Sequence, residues 1–268
     1  MRSYHFISIL LLFCATHTSF AQKAEPINQL NENKQKQGKW IVKYKNGRTK
    51  YQGTFNAGKP YGVMKRYYPK GQLKAVMHFD TITRITRTKL YNPNGQLFAE
   101  GNFKDNKRDS VWSYYFEDRK TEKISYKKGM KSGGYIVFHE NGELKIKAHF
   151  VNDSLSGNYY RYYPSGARKC GFKYINGKRN GLCMTWYENG EVELSGGYIN
   201  SRRHGDWTYF KRNGTPKYVV KYFKGKITNP EVINKSNQKE FEELEKNKLK
   251  LKDPEKFKNN PTGAFKRP

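Results

Sequence analysis

From residue 38 to about 228, apolar and polar positions alternate with a period of two, the pattern of half-buried β-strands. Leu97, Ala99, Gly101 and Phe103 take every second position after Gly95, and Val192, Leu194, Gly196 and Tyr198 do so after Gly190. The places between such residues are polar and often basic, as in Lys145, Lys147 and His149, Lys169 and Lys173, or Lys217 and Lys221. A second alternating run precedes each turn, carrying Trp40, Val42 and Tyr44 in one case and Trp112, Tyr114 and Phe116 in another. Asn-Gly steps at 46–47, 94–95, 141–142, 189–190 and 213–214 link the two runs. Such a step predicts a tight hairpin turn with positive φ at both central residues. The unit is a β-hairpin.

The hairpins recur at a fixed spacing. Turn glycines stand at 47, 71, 95, 142, 166, 190 and 214, at intervals of 24 except one of 47, which hides a repeat shortened by one residue. A leading glycine precedes each by nine, at 38, 62, 133, 157, 181 and 205, with Thr86 and Ser110 in the vacant places. Eight residues after each turn glycine comes an aromatic: Phe55, Phe79, Phe103, Phe150, Tyr174, Tyr198 and Tyr222, with Tyr126 in the shortened repeat. Adjacent hairpins join through a second turn such as Asn176 to Gly181. Eight repeats, about sixteen short antiparallel strands, fill 38–228. A lone hairpin cannot bury a face, so neighbours must stack in register. The expected fold is all-β, an elongated antiparallel β-hairpin array forming a single twisted sheet.

Outside the array the pattern changes. Residues 22–37 are polar, lack aromatics and read as a linker. Residues 229–268 hold one helical pattern from about Ser236 to Lys252, with Phe241, Leu244 and Leu251 near one face, placed to cap the last hairpin's open edge. The last dozen residues, rich in Pro and Gly, read as a disordered tail. At the other end Arg2, the apolar run Phe6 to Phe13, and Ser19-Phe20-Ala21 form an export signal, with cleavage between Ala21 and Gln22. The bulky Phe13 before Cys14 and the fitting Ala21 site argue against a lipidated cysteine. The expected location is therefore periplasmic, outer-envelope or secreted.

Composition sharpens this picture. The chain has 268 residues with 52 Lys and Arg against 23 Asp and Glu, a net charge of +29, yet 15% of it is aromatic, which disordered chains are not. No apolar stretch is long enough for a membrane span. Between 38 and 228 lie 38 basic and 14 acidic residues and 34 aromatics, so the charge belongs to the hairpins rather than to a basic tail.

Candidate catalytic chemistry is sparse. Beyond the export segment the histidines are His78, His139, His149 and His204, spread over three repeats and in no nucleophile or metal motif, His204 falling in the turn Arg202 to Gly205. The glycine-rich stretches are hairpin turns and lack the strand-to-helix context of a phosphate loop. The expectation is no enzyme, no cofactor and no metal. Cys170 and Cys183 flank the 176–181 turn. A two-residue turn would set them opposite one another and permit a disulfide, whereas a longer loop would leave two buried thiols.

The surface offers the other lead. Five residues after each leading position stands Tyr67, Tyr91, Tyr115, Phe138, Tyr162, Trp186 or Phe210, on the parity opposite to Trp40, Trp112 and Trp207. This second aromatic row is expected to share a face with the basic residues of the following strand, Lys145, Lys147, Lys169, Lys173, Lys217 and Lys221. One repeat advances about 9.6 Å, so aromatic and cationic groups would recur at a step suited to a long anionic ligand. The alternative is that the aromatics stack on each other and the lysines only solubilise the sheet.

The stretches YQGTFNAGKPYG, AEGNFKDNKRDSVWSYY and SGGYINSRRHGDWTYFKRNG resemble the MORN repeat, and the 24-residue spacing with Asn-Gly turns resembles the MORN-variant repeats of bacterial YwqK-family antitoxins. The resemblance covers about 190 residues and is best in repeats 1, 6, 7 and 8. Repeat 2 departs at Met77 and repeat 4 at Asp118-Arg119. It implies an elongated hairpin array. The residues point to an exported scaffold that binds a protein partner, an anionic polysaccharide or a membrane surface, export arguing against nucleic acid. The family name implies the alternative, an antitoxin or immunity protein that neutralises a toxin by covering it.

Overall fold

The structure, a computed structural model, describes residues 26–248; the expected export segment with its Ala21–Gln22 junction and the tail beyond 248 lie outside them. Sixteen strands of six to ten residues run from Lys36–Lys43 to Pro216–Phe223, each antiparallel to the next in one open sheet. The fold is all-β with one C-terminal helix, as the alternation predicts.

The turns are not distributed as expected. The Asn-Gly loops carry positive φ only at glycine: Gly47 lies at +80°, while its N–H bonds Tyr44 O at 3.0 Å and Tyr44 N bonds Arg48 O at 2.8 Å. The turns with both central residues at positive φ lie at the other end of the hairpins, at Asp105-Asn106, Asn152-Asp153, Asn176-Gly177 and Asn200-Ser201 among others. Asparagine has a different task in the Asn-Gly loops. Asn46 Oδ1 accepts from Arg48 N at 3.1 Å, and its Nδ2 donates to Pro69 O of the next loop at 2.9 Å. Asn141 and Asn189 repeat the bond to Pro164 O and Arg212 O, each 23 residues on. Repeat 4 replaces this loop by a two-residue turn, Glu117-Asp118, both at positive φ, which accounts for its missing residue.

Because the sheet is a single layer, each repeat completes its neighbour's core. Trp112 and Trp207 are fully buried, and each indole lies flat on a glycine of the preceding strand, Gly101 or Gly196. A Cβ on Gly101 would stand 2.4 Å from the Trp112 ring, and one on Gly196 2.2 Å from the Trp207 ring. The indole N–H then reaches the next carbonyl along, Asn102 O at 2.9 Å and Gly197 O at 3.1 Å. Phe103, Tyr198 and Tyr222 pack edge-on against these rings. On the Asn-Gly side a second ladder crosses repeats, with the hydroxyls of Tyr44, Tyr68, Tyr163 and Tyr187 donating to the carbonyls of Tyr67, Tyr91, Trp186 and Phe210 at 2.8–2.9 Å.

Both ends of the sheet are finished by the same device. Residues 26–37 are not a free linker: Gln29–Leu30 pairs with Lys36–Gln37, and Trp40 Nε1 donates to Gln29 O at 3.1 Å, as Trp112 and Trp207 do to a preceding repeat. The side-chain amide of Asn28 bonds both the N–H and the C=O of Ile41, standing in for a strand. Asn229 does the same at the far edge, accepting from Lys221 N and donating to Val219 O. The helix spans Glu231–Lys248, starting five residues before the expected Ser236, because Pro230 presets the backbone for a first helical turn. The side chains of Phe241 and Leu244 and all of Leu251 lie outside the described residues.

Gly196→Ala must push Cβ into a rigid, enclosed indole and should lower stability by about 1–3 kcal/mol. Gly134→Ala meets only Ser125 Oγ at 3.9 Å and should stay within about 0.5 kcal/mol of the parent. Urea unfolding of the two variants checks the contrast.

Candidate binding surface

The sheet's two faces are chemically unlike. The tryptophan face holds nearly all the buried residues, among them Phe55, Ala75, Ala99, Ile124, Ala148, Tyr198 and Val220. The cations two residues before the leading positions lie over aromatic rings, whereas Arg66 and Arg161 on the same face are exposed. The Arg203 guanidinium lies 4.4 Å from the Trp207 ring and 5.2 Å from the Tyr222 ring, and donates to Tyr222 Oη at 2.7 Å. Arg108 sits over Trp112 and Tyr126, Arg179 over Tyr198 and Phe172, and Lys36 over Trp40 and Phe55. Sequence reasoning missed these clamps. Their signal was present, a cation two residues before the leading position at 36, 108, 131, 179 and 203.

The second aromatic row lies on the opposite face, as its parity predicts, but not beside the expected lysines. A bulge in the strand after each loop places Tyr67 opposite Leu73, Tyr91 opposite Leu97, Phe138 opposite Leu144 and Trp186 opposite Val192. Tyr115 faces Lys120, Tyr162 faces Arg168 and Phe210 faces Pro216. All seven aromatics are half-buried, forming an interleaved seam with these partners rather than a row of open platforms.

The bulge also splits the six lysines. Lys145, Lys169 and Lys217 are the extra residues at the bulges of repeats 5, 6 and 8, and Lys169 and Lys217 lie over Tyr163 and Tyr218, at 4.9 and 5.7 Å from the rings. Tyr218 stacks on Tyr209 of the tryptophan face. The extra residue changes strand parity, so these lysines turn away from the second row. Lys147, Lys173 and Lys221 pair with Ile136, Asn158 and Asp206 and are exposed on the face opposite the tryptophans.

That face carries a basic surface. Lys65, Arg87, Lys89 and Lys123 occupy its central strands beside Lys147, Lys173 and Lys221. Of the strand carboxylates there, Glu100 accepts a 2.5 Å bond from Tyr115 Oη and lies 3.9 Å from Lys89 Nζ, and Asp206 stands opposite Lys221.

Burial pushes Tyr135 up to about 12 and Cys183 up to about 11; Tyr115 reaches about 12 through burial and then the Glu100 carboxylate. Cys170 and Cys183 are free thiols. The connecting turn does use two residues, but Gly181 and Leu182 bulge between Asn180 and Cys183, so Cys170 meets Thr185 and Cys183 meets Phe172. Diagonal neighbours are about 7–8 Å apart, too far for a bridge. His204 lies in a strand opposite Gly197 rather than in a turn, because Asn200-Ser201 closes that hairpin, and its ring packs 5.5 Å from Phe223. His139 Nε2 bonds Tyr162 O at 3.0 Å, filling a place in the tyrosine ladder. His78 and His149 are exposed on separate strands, and among the described residues no three His, Cys, Asp or Glu cluster around a metal position.

Residues 60–80, 87–105 and 133–152 match the family model described as the MORN repeat variant. The matches fall on repeats 2, 3 and 5 rather than on the repeats in which the resemblance reads best. No curated protein matches the chain. MORN repeats are a non-enzymatic repeat type that generally binds proteins or membranes.

The raised tyrosine and thiol values have a sign. The folded chain holds these protons more tightly than the unfolded chain, whose groups release them near pH 9 for Cys and pH 10 for Tyr. Their contribution to stability is whole below pH 9 and is lost as pH rises through 11 and 12. The urea midpoint should fall steadily above pH 9; a constant midpoint from pH 8 to about 11 would contradict the assignment.

Proposed function

We propose that the chain is an exported, non-enzymatic scaffold that binds an acidic protein surface or an anionic envelope component through the face opposite its tryptophans. The observation that carries this reading is the set of exposed cations on that face. On the tryptophan face Lys36, Arg108, Arg179 and Arg203 are stacked on rings and serve the fold. On the other face Lys65, Arg87, Lys147, Lys173 and Lys221 are exposed, and few carboxylates stand among them. Such a surface binds by many modest contacts summed along the array, with strong dependence on salt. Export is supported by the N-terminal sequence pattern. A YwqK-like antitoxin is the special case in which the acidic partner is a toxin.

Poly-L-glutamate is a suitable probe of the full chain. The logarithm of its binding constant should fall linearly with the logarithm of salt concentration, and the triple change Lys147→Gln, Lys173→Gln, Lys221→Gln should flatten that slope. Lys169→Gln, on the tryptophan side, should leave it unchanged. Salt-insensitive binding, no binding at low salt, or an equal effect of Lys169→Gln would count against the reading.

A further inference from the structure

The basic face is not uniform along the array. The last residue of each hairpin, next to the turn that leads to the following repeat, is Asn56, Asp80, Lys104 or Lys127 in repeats 1–4 and Val151, Ile175, Ile199 or Phe223 in repeats 5–8. These four apolar side chains are 46, 48, 51 and 56% exposed. They alternate with Phe150, Tyr174, Tyr198 and Tyr222 of the tryptophan face and so project from the other side of the sheet. Leu182, 61% exposed, stands on the same side opposite Gly197, one position in from the row.

Cations are interleaved with the apolar residues. Ile175 pairs with Lys178, Ile199 with Arg202 and Phe223 with Lys226, while Val151 pairs with Ser154. Read across the strands, apolar and cationic groups alternate about every 4.8 Å, and the apolar ones return about every 9.6 Å. Exposed aliphatic side chains at one position in consecutive repeats, where the earlier repeats are polar, mark a contact surface. An α-helix laid across the strands advances about 4.5 Å in three residues and about 10.5 Å in seven. It would present an apolar residue at i, a carboxylate at i+3 or i+4, and the next apolar residue at i+7.

We propose that the row from Val151 to Phe223 is the docking site for an acidic amphipathic helix of a protein partner. The proposal rests on the basic-face reading and assigns its C-terminal half a partner. Apolar residues of the helix cover Ile175, Ile199 and Phe223, and its carboxylates meet Lys178, Arg202 and Lys226.

The probe is a synthetic helical peptide of about 25 residues, long enough to be helical alone, with leucine at every seventh position, glutamate three residues after each, and alanine elsewhere. The full-length chain should bind it, and Ile175→Asn with Ile199→Asn, the residue that repeat 1 carries, should weaken binding at least about tenfold. Poly-L-glutamate binding should be unaffected by the same changes. No peptide binding, or equal binding by parent and variant, overturns the proposal. So does a variant that keeps the peptide but loses phosphatidylglycerol vesicles, since the row would then face lipid. Loss of salt-dependent poly-L-glutamate binding by the parent would instead be the failure of the basic-face reading.

Discussion

The structure depends on one constraint: a single-layer sheet has no opposing layer against which to bury its side chains. The apolar core must therefore be assembled within the layer, between neighbouring repeats. Trp112 on Gly101 and Trp207 on Gly196 show how this is done, the indole lying flat over a strand with no side chain in the way and its N–H satisfied by that strand's next carbonyl. Arg108 and Arg203 close the exposed side of each ring. The tyrosine and asparagine ladders on the loop side repeat the same logic, each bond crossing 23 residues to the following hairpin. At the two ends, where no neighbour exists, Asn28 and Asn229 supply the missing strand's donor and acceptor.

From this constraint follows the division of labour between the faces. Rings, small residues and their stacked cations are needed on one side to hold the repeats together, which leaves the other side free to vary without loss of the fold. Its middle rows carry lysine and arginine in the N-terminal and central repeats, and its turn-side row becomes apolar only from Val151 onward. A repeat scaffold can thus carry different recognition chemistry along its length while its internal contacts stay the same.

The hairpin period, strand number and core parity were legible in the sequence because they rest on strict alternation and a fixed interval. The loops were not. An Asn-Gly step signals a turn through backbone preference, yet Asn46 is held by a bond to the next repeat, a partner that local sequence cannot reveal. The bulges were equally hidden. One extra residue near each loop turned Lys145, Lys169 and Lys217 away from the face where alternation had put them, and two more set Cys170 and Cys183 out of register. The N-terminal segment read as a linker because Asn28 and Gln29 cap through amide and backbone groups, without an aromatic or a strand-length run. The clamp cations were visible at their spacing and were passed over because charge reads first as surface.

The central claim, that indoles are locked across repeat boundaries, is tested most directly by hydrogen exchange of the indole N–H groups, followed by NMR on the full chain. The chain has 4 tryptophans. Trp40, Trp112 and Trp207 donate to carbonyls of a preceding strand, whereas Trp186 lies on the opposite face in the aromatic seam and makes no such bond. The account predicts three slowly exchanging indole protons and one fast one, assigned to Trp186. Uniform exchange of all four, or protection of Trp186 equal to that of Trp207, would contradict it.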